Sequence, residues 1–311
     1  MKAEKVSIKG MSREEWLKLR KTGIGGSEAG AVCGFNPYAS PFSVYINKIS
    51  DDTEQEDNEA MRQGRDLEDY VAKRFTEATG KKVRKSNFMY RSNLYHFMLA
   101  NVDRLVEGED AGLECKTVSA YNADKWKDEE IPQHYFLQCQ HYMAVTGLSC
   151  WYIAAVILGK DFKWAKIERD EELIMNLIKV ESDFWNQHVV PGVLPGPDGS
   201  RAYDEVLEKY FGTAKRNEAI PLIGFDGKLK RRDEITELQE KLKTEQAQID
   251  QELKTYLAEN ESAVNEKYRV SWSNVDTNRI DTGRLKTEEP ETYRKYLKIV
   301  SGRRFSVKKV A

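Results

Sequence analysis

Few cysteines and histidines are present in the 311-residue chain, and their spacing excludes the metal sites that are built on sulfur and imidazole. None of the cysteines belongs to a CxxC pair; the four are Cys33, Cys115, Cys139 and Cys150. The four histidines form no HExxH pattern. Zinc and iron–sulfur sites depend on such clustered ligands. Any metal must therefore be held by carboxylates, and the cysteines are expected to be reduced thiols.

Long apolar runs are absent as well. No uninterrupted apolar segment approaches the length that crosses a bilayer, and the first residues lack the apolar stretch of a secretory signal. We therefore expect a cytoplasmic protein with no membrane partner. With 40% hydrophobic and 32% charged residues, the chain can bury a sizeable core.

A large excess of positive charge is also missing. The formal net charge is -2, so bulk electrostatics do not predict a nucleic-acid partner. Binding to phosphate would have to use local basic patches. Three candidates stand at residues 81–85, 228–232 and 303–309, although such runs are more often solvated surface than a phosphate track.

The most informative pattern is a pair of strand-like segments that carry two carboxylates and a lysine. Asp103 lies in the first segment, and the second reads Leu-Glu-Cys-Lys-Thr over residues 113–117. Successive side chains of a strand leave on opposite faces, so Glu114 and Lys116 share one face and Cys115 occupies the other. The turn residues at 107–112 favour a hairpin, which would bring Asp103 beside Glu114.

Neighbouring carboxylates repel each other, and a divalent cation would compensate that repulsion. Hard oxygen ligands with few protein contacts suit Mg²⁺ or Mn²⁺, which keep several waters and accept phosphate oxygens. Lys116 would stand next to such a water. The pattern therefore indicates a metal-dependent nuclease core. The structural alternative for this pattern alone is a cross-strand ion pair on a solvated hairpin.

The organisation of the chain predicts a domain over residues 1–190, a linker rich in proline and glycine at 191–200, and an extension over 201–311. In the first part, Ser12 and Glu15 form a capping box, and Ser27 is expected to cap a second helix. One strand is predicted over 97–106. The extension is expected to hold a polar helix over 233–257 and strands at 268–275 and 304–307.

Several separated motifs then agree with one known family. They are Trp16 with Leu19-Arg20, the turn Gly25-Gly26-Ser27-Glu28, Gly64 with Glu68, the triplet Asp103, Glu114 and Lys116, and Gln138-Cys139-Gln140 with Tyr142. In these motifs the first 190 residues resemble the YqaJ-type viral recombinase family, relatives of the phage lambda exonuclease in the PD-(D/E)XK nuclease superfamily. The resemblance implies an α/β (α+β) restriction-endonuclease-like core, with a mixed β-sheet flanked by helices.

The resemblance also implies an activity and partners. The expected enzyme is a 5'-to-3' exonuclease that digests one strand of linear double-stranded DNA from a free end and leaves single-stranded tails for annealing. Magnesium is the expected cofactor, with manganese able to substitute. A phage-type single-strand annealing protein and a homotrimeric ring are the implied partners, in a bacterial or phage-infected host cell.

Carried onto this sequence, the resemblance assigns metal binding to Asp103, Glu114 and the Cys115 carbonyl. Lys116 would align the attacking water and neutralise charge on the phosphate. Two-metal chemistry would have one ion generate hydroxide and the other stabilise the leaving oxygen. Glu68 would complete the shell of the second metal; its alternative is a helix-surface ion pair with Arg65 or Lys73.

Further positions match the groups that contact DNA. Gln138 resembles the glutamine that bonds the attacking water or the scissile phosphate, with Tyr135 one turn earlier on the same helix face. Arg20 and Ser27 match the pocket for a 5'-phosphate. Asn101 stands where lambda exonuclease has a serine near the terminal phosphate, and its amide can also donate to phosphate.

Two other functions are open to the same core. One is a PD-(D/E)XK endonuclease, which would need groove-reading elements within residues 200–311. The other is a DNA-binding or assembly module in which the charged cluster serves only structure. End dependence and metal dependence of cleavage separate the three possibilities.

Overall fold

The computed structural model describes residues 3–50, 58–126, 130–215, 219–298 and 304–308. The chain divides into two compact units, residues 1–212 and 213–311. Within the described segments, no helix is both long and apolar enough to span a membrane. The division falls after Gly212 rather than at the expected linker, because the helix that follows the linker packs on the first unit through Phe42 and Tyr203, whose ring centroids are 4.6 Å apart.

Seven helices belong to the first unit as far as its residues are described. They are α1 (Arg13–Lys21), α2 (Gly26–Val32), α3 (Pro41–Ile49), α4 (Glu59–Thr79), α5 (Gln133–Thr146), α6 (Glu171–Phe184) and α7 (Arg201–Tyr210). A 3-10 helix over Ala120–Trp126 precedes α5, and a π-helical turn over Trp185–Val189 follows α6. The predicted capping box of α1 is confirmed, since the Ser12 and Glu15 side chains bind each other's backbone N–H groups.

Among the described residues of this unit, nine strands form two sheets. They are β1 (Glu4–Ser7), β2 (Ile24–Gly25), β3 (Val83–Lys85), β4 (Phe88–Arg91), β5 (Met98–Asn101), β6 (Arg104–Val106), β7 (Ala111–Val118), β8 (Cys150–Ile157) and β9 (Asp161–Glu168). The larger sheet has the order β3-β6-β7-β8-β9, and the smaller one has the order β1-β4-β5-β2. Both sheets mix parallel and antiparallel pairs.

The predicted strand over 97–106 is wrong in one respect: the structure divides it. β5 ends at Asn101 and pairs within the smaller sheet, whereas β6 begins at Arg104 and pairs within the larger sheet. Val102 and Asp103 therefore connect the two sheets. Val102 is buried in the core, so the break in the strand is anchored by apolar packing and presents Asp103 at the junction.

The core of the larger sheet lies on both of its faces. Strand β8 is apolar throughout, as expected for a strand covered on two sides. Its residues alternate between the two faces: Trp151 and Ile153 pack towards α5, whereas Tyr152 packs towards Phe75 of α4. Full burial of each such large side chain stabilises the fold by roughly 1.5–3 kcal/mol. The parallel neighbour β7 follows the same alternation, so its apolar Leu113 faces α4.

The second unit contains α8 (Asp226–Leu257), a hairpin of β10 (Ser262–Val264) with β11 (Arg269–Ser271), and two short helices, α9 (Thr282–Glu288) and α10 (Pro290–Lys295). The expected long polar helix is present and begins seven residues earlier than its apolar pattern predicts. The strand predicted at 304–307 is wrong, because these residues are irregular in the structure. Most of the apolar stripe of α8 is exposed, including Ile235 and Leu242.

Candidate active site

The hairpin of β6 and β7 places Asp103 next to the strand that carries Glu114 and Lys116. Arg104 lies opposite Leu113 in this pair of strands. The Asp103 carboxylate accepts a hydrogen bond from the Cys115 backbone N–H, with 2.9 Å between Oδ2 and N. This bond orients the carboxylate towards the middle of β7. The Asp103 side chain thus contacts the backbone of a residue that lies twelve positions later in the chain.

Glu114 and Lys116 share one face of β7, as their spacing predicts. Lys116 Nζ lies 2.7 Å from Glu114 Oε1. Gln138 of α5 bridges the pair, because its Nε2 donates to Glu114 Oε1 at 2.7 Å and its Oε1 accepts from Lys116 Nζ at 3.0 Å. Glu114 is only 4% exposed, yet its second oxygen, Oε2, has no hydrogen-bond partner within the described residues. A buried carboxylate oxygen without a partner is unfavourable unless a cation or another donor approaches it.

Glu68 approaches the same cluster from α4. Its carboxylate forms an ion pair with the guanidinium of Arg104, which also contacts Asp69 and donates to the Asp103 carbonyl oxygen at 2.7 Å. Arg104 is 97% buried by this arrangement, with 3% of its surface exposed. Sequence reasoning considered only helical neighbours as ion-pair partners of Glu68. The partner that the structure provides lies 36 residues away, and local spacing contains no signal for it.

The charges of the cluster do not balance. Glu68 is paired with Arg104 and Glu114 with Lys116, whereas Asp103 has no ion-pair partner among the described residues. Burial, followed by the negative charges of Glu114 and Glu68, raises the pKa of Asp103 well above its ordinary value. Among Glu68, Asp103 and Glu114, the charge of Asp103 is therefore uncompensated when all three are ionised, and the exposed Asp69, which shares Arg104 with Glu68, adds a further negative charge.

Lys116 stays charged in spite of its enclosure. Burial acts to lower its pKa, but the adjacent charge of Glu114 and then Tyr135 outweigh that effect and raise the pKa above its ordinary value. The Tyr135 ring lies under the ammonium group, 4.5 Å from Nζ to the ring centroid, which is a cation–π contact. Lys116 is consequently a fixed positive charge rather than a proton donor at neutral pH.

A cleft of about 180 Å³ joins this cluster to the turn between α1 and α2. Its polar lining comes from the predicted DNA-contacting and catalytic residues, namely Arg20, Ser27, Asn101, Asp103, Glu114, Lys116 and Gln138. Trp16 closes one side, and the Arg20 guanidinium stacks on its ring at 4.9 Å. Of the residues singled out from the sequence, Glu68, Cys115 and Tyr135 lie behind this lining.

Ser27 does not cap α2, which corrects the sequence interpretation. The cap position is Gly25, whose backbone N–H is bound by the Glu28 carboxylate at 2.8 Å. Ser27 lies inside the first turn, and its hydroxyl oxygen accepts from Arg20 Nη2 at 3.1 Å. The sequence pattern is nearly the same whether the serine is at the cap position or two residues after it. The hydrogen bond from the Gly25 N–H to Glu28 is what identifies Gly25 as the cap position.

A buried lysine behind this turn was missed from the sequence. Lys48 of α3 contacts Glu28, with 2.7 Å from Nζ to Oε2, and donates to the Arg20 carbonyl oxygen at 3.0 Å. Burial and then the charges of Lys48 and Arg20 act on Glu28, and the net effect lowers its pKa. The available signal was the position of Lys48 on the apolar face of α3, one turn after Val44 and Tyr45.

Close contact between α2 and α5 fixes the floor of the cleft. A Cβ atom at Gly26 would lie 2.4 Å from the Tyr142 ring, so only glycine permits this approach. The Tyr142 hydroxyl accepts from Gln138 Nε2 at 2.9 Å. The glycine-rich turn and the bridging glutamine are therefore linked through one aromatic ring.

The donor set fits a hard divalent cation, although it is not a preassembled cage. No group of three or more His, Cys, Asp or Glu side chains within the described residues is arranged to hold a metal ion. Two carboxylates are present, Asp103 without a cationic partner and Glu114 with a free buried oxygen. Mg²⁺ keeps several waters and binds through one or two carboxylates plus substrate phosphates. The chemistry of the pair therefore fits such an ion, which the Asp103 and Glu114 carboxylates would hold.

The fold defines the class of protein to which this arrangement belongs. The alkaline exonuclease LHK-Exo from Laribacter hongkongensis was solved alone and in complex with dAMP. The dAMP complex matches with a TM-score of 0.50 and 22% identity, over 64% of this chain and 98% of that chain. The structure without dAMP gives a TM-score of 0.49 at the same coverage. The chain thus has an exonuclease-type α+β fold, and the predicted fold class is confirmed.

The sequence comparisons define the family. Residues 15–149 match the YqaJ-like viral recombinase domain. A Bacillus subtilis (strain 168) protein called uncharacterized protein YqaJ is 42% identical over 309 residues, which cover 97% of this chain and 96% of that relative. The chain belongs to the YqaJ-like viral recombinase family. The resemblance derived from the separated motifs is confirmed.

Proposed function

We propose that the protein is a Mg²⁺-dependent exonuclease that degrades the 5'-ended strand of linear double-stranded DNA. One observation carries the proposal: a single cleft contains two carboxylates and a lysine at one end and an arginine and a serine at the other. The first group suits phosphodiester hydrolysis, and the second suits a terminal phosphate. The family membership and the exonuclease fold support the same activity.

Asp103 and Glu114 are the proposed cation ligands. When bound, Mg²⁺ would supply Lewis acidity that favours loss of a proton from water and neutralises charge on the scissile phosphate. Mn²⁺ prefers the same oxygen donors and would substitute. Glu68 can serve a second ion only by exchanging part of its contact with Arg104, so the residues fit one cation more directly than two.

Lys116 and Gln138 have different proposed roles. The fixed charge of Lys116 would stabilise negative charge that develops on the phosphate in the transition state. Gln138 contacts both Glu114 and Lys116, which holds the carboxylate and the ammonium group at a set separation. A glutamine that is 3% exposed and bonded on both ends is a positioning residue in this state.

Arg20, Ser27 and Asn101 would bind the 5' end of the strand that is cut. Arg20 carries a full positive charge, and the backbone N–H groups at the start of α2 add further donors for an anion. A mononucleotide, dAMP, is bound in a complex of the fold relative LHK-Exo. Binding of a terminal phosphate at one end of the cleft would set the bond to be cleaved at the other end.

Digestion of a linear duplex labelled separately at each end tests the activity, the polarity and the metal requirement together. With Mg²⁺ we expect early release of the label at the 5' end, and with EDTA no release. Equal cleavage of closed circular duplex would support the endonuclease alternative. No cleavage at any Mg²⁺ concentration, with duplex binding retained, would support the non-catalytic binding module.

The tail left by a 5'-to-3' exonuclease is single-stranded DNA, which is the substrate of an annealing protein. Association with such a protein and assembly into a homotrimeric ring are further parts of the proposal. The mass of the purified protein in solution tests the ring. A mass of three chains is expected, and a monomer mass would contradict it.

A further inference from the structure

A second set of side chains adjoins the active-site cleft and shares only Lys116 with the proposed chemistry. Three rings follow each other from Tyr135 through His134 to Tyr38, with centroid separations of 4.0 Å and 6.4 Å. A lysine lies at each end of the run. Lys116 Nζ is 4.5 Å from the Tyr135 ring, and Lys125 Nζ is 5.4 Å from the Tyr38 ring. We call these five residues the aromatic ledge.

The ledge is open to solvent at its outer end. Tyr38 is 64% exposed, although its hydroxyl oxygen accepts a hydrogen bond from Lys125 Nζ at 3.2 Å. Lys125 is also exposed, and the same 3-10 helix carries Tyr121, which is 97% exposed. The outer end therefore offers a ring face and a cation to a ligand.

The inner end of the ledge is held rigidly. His134 packs so closely on α2 that a Cβ atom at Gly30 would lie 2.7 Å from its own Cβ. Trp126 is buried and backs the Tyr135 ring at 5.9 Å. The rings come from the loop after α2 and from the start of α5, so packing between separate elements fixes their mutual positions. A ledge of this kind is ready to bind without rearrangement.

The chemistry of the ledge identifies its ligand. Aromatic faces stack on nucleobases, lysine side chains bind phosphates, and alternation of the two is how proteins bind single-stranded nucleic acid. Burial, and then the charges of Lys116 and Lys125, lower the pKa of His134 to about 4, so its ring is neutral at neutral pH. Base pairs inside a duplex have both faces covered by their neighbours, so a run of several rings fits unpaired bases better than a duplex.

We propose that the aromatic ledge binds unpaired DNA bases beside the active-site cleft, with Tyr38 as the outermost stacking ring and Lys125 as a phosphate contact. The inference rests on the proposed function, because an exonuclease acting on duplex DNA creates unpaired nucleotides at this point. Either of the two strands can supply these unpaired bases. In both cases the ligand is a single strand whose bases stack on the rings independently of sequence.

Binding in EDTA tests the ledge without cleavage. The full chain is titrated against a labelled oligothymidine and against an oligomer of the same length that lacks bases. For Tyr38→Ala we expect roughly five- to hundredfold weaker binding to oligothymidine, from the range of base–aromatic stacking, and little change for the abasic oligomer. Tyr38→Phe keeps the ring and should bind nearly as the wild type does.

A matched control is available on α4. Tyr70 is also an exposed ring beside a cation, with the Arg74 guanidinium 6.0 Å from its centroid, and Tyr70→Ala should leave binding unchanged. Lys125→Gln should flatten the dependence of log K on log salt by about 0.7, the value for one phosphate of a single strand. Duplexes with a 3' or a 5' overhang then identify the strand that supplies the unpaired bases. Tyr38→Ala should weaken binding to only one of these two duplexes.

Unchanged binding by Tyr38→Ala, or an equal loss for the oligomer with and without bases, would overturn the proposal. Cleavage of linear duplex in Mg²⁺ is measured separately. If the wild type binds bases through Tyr38 but cuts no DNA, the ledge stands and the nuclease proposal fails. If the wild type cuts DNA and Tyr38→Ala retains full affinity, the nuclease proposal stands and the ledge fails.

Discussion

Replacement of Asp103 by asparagine should stabilise the metal-free protein. Besides the exposed Asp69, the cluster contains three carboxylates and two paired cations, and Asp103 is the carboxylate without an ion pair among the described residues. Asparagine removes its charge but retains an oxygen that can accept from the Cys115 N–H, the bond that Asp103 makes at 2.9 Å. The variant therefore keeps the local geometry and loses the repulsion.

The direction of the pH effect follows from the raised pKa of Asp103. Because folding raises this pKa above its ordinary value of 3.8, the protonated form is favoured in the folded state. The contribution of protonated Asp103 to the free energy of unfolding is fully present below the ordinary pKa. It is lost as the pH rises through the raised pKa of the folded state. Each unit by which folding raises a pKa corresponds to about 1.4 kcal/mol. A difference of 1 kcal/mol shifts Tm by roughly 2–4 °C for a unit of this size.

The assay is thermal unfolding in EDTA and in Mg²⁺ at several pH values. In EDTA the Tm of Asp103→Asn should exceed that of the wild type by a few degrees at neutral pH, and the difference should shrink towards pH 4. In excess Mg²⁺ the wild type should gain stability, by about 2.7 kcal/mol at a hundredfold excess over Kd, and the variant should not. Asp183→Asn, at an exposed site on α6, is the control and should follow the wild type.

One pair of results would refute this reasoning. The first result is a Tm of Asp103→Asn below that of the wild type in EDTA at neutral pH. The second is a gain in stability from Mg²⁺ that is as large in the variant as in the wild type. Together they would mean that the Asp103 carboxylate is not an uncompensated charge at a cation site. The balance of charges described for the cluster would then be wrong.

Three further predictions concern the cleft. Gly26→Ala should lower the free energy of unfolding by about 1–3 kcal/mol in urea titrations, because its Cβ would meet Tyr142 at 2.4 Å, whereas Gly64→Ala on α4 has open space and should not destabilise. Arg20→Ala should reduce the preference for 5'-phosphorylated over 5'-hydroxyl ends in cleavage assays; an unchanged preference would remove Arg20 from the pocket. Glu114→Gln should abolish cleavage yet largely preserve duplex affinity, since phosphate contacts dominate binding; near-normal turnover would refute its role.

Much of the site could be predicted because it depends on short-range geometry. Alternation along a strand places Glu114 and Lys116 together, and their 2.7 Å contact follows from that spacing. The capping box at the start of α1 is likewise local, since it requires only residues within one turn.

The features of the site that the sequence does not predict depend on contacts between distant segments of the chain. The break at Val102 exists because β5 and β6 join different sheets, and the residues of the break carry no turn signal. Arg104 and Lys48 are charged side chains whose carboxylate partners lie 36 and 20 residues away. Such pairs depend on which helices pack on which strands, and periodicity within one segment holds no information about that choice.

We propose that Asp103 and Glu114 would hold a divalent cation and that Lys116 would stabilise charge on the phosphate during cleavage of DNA. The most direct test is the initial rate of nucleotide release from a linear duplex as a function of Mg²⁺ concentration, for the wild type, Glu114→Gln and Lys116→Ala. The account predicts a saturable Mg²⁺ dependence in the wild type and almost complete loss of release in both variants. Release without Mg²⁺, or a wild-type rate in either variant, would contradict it.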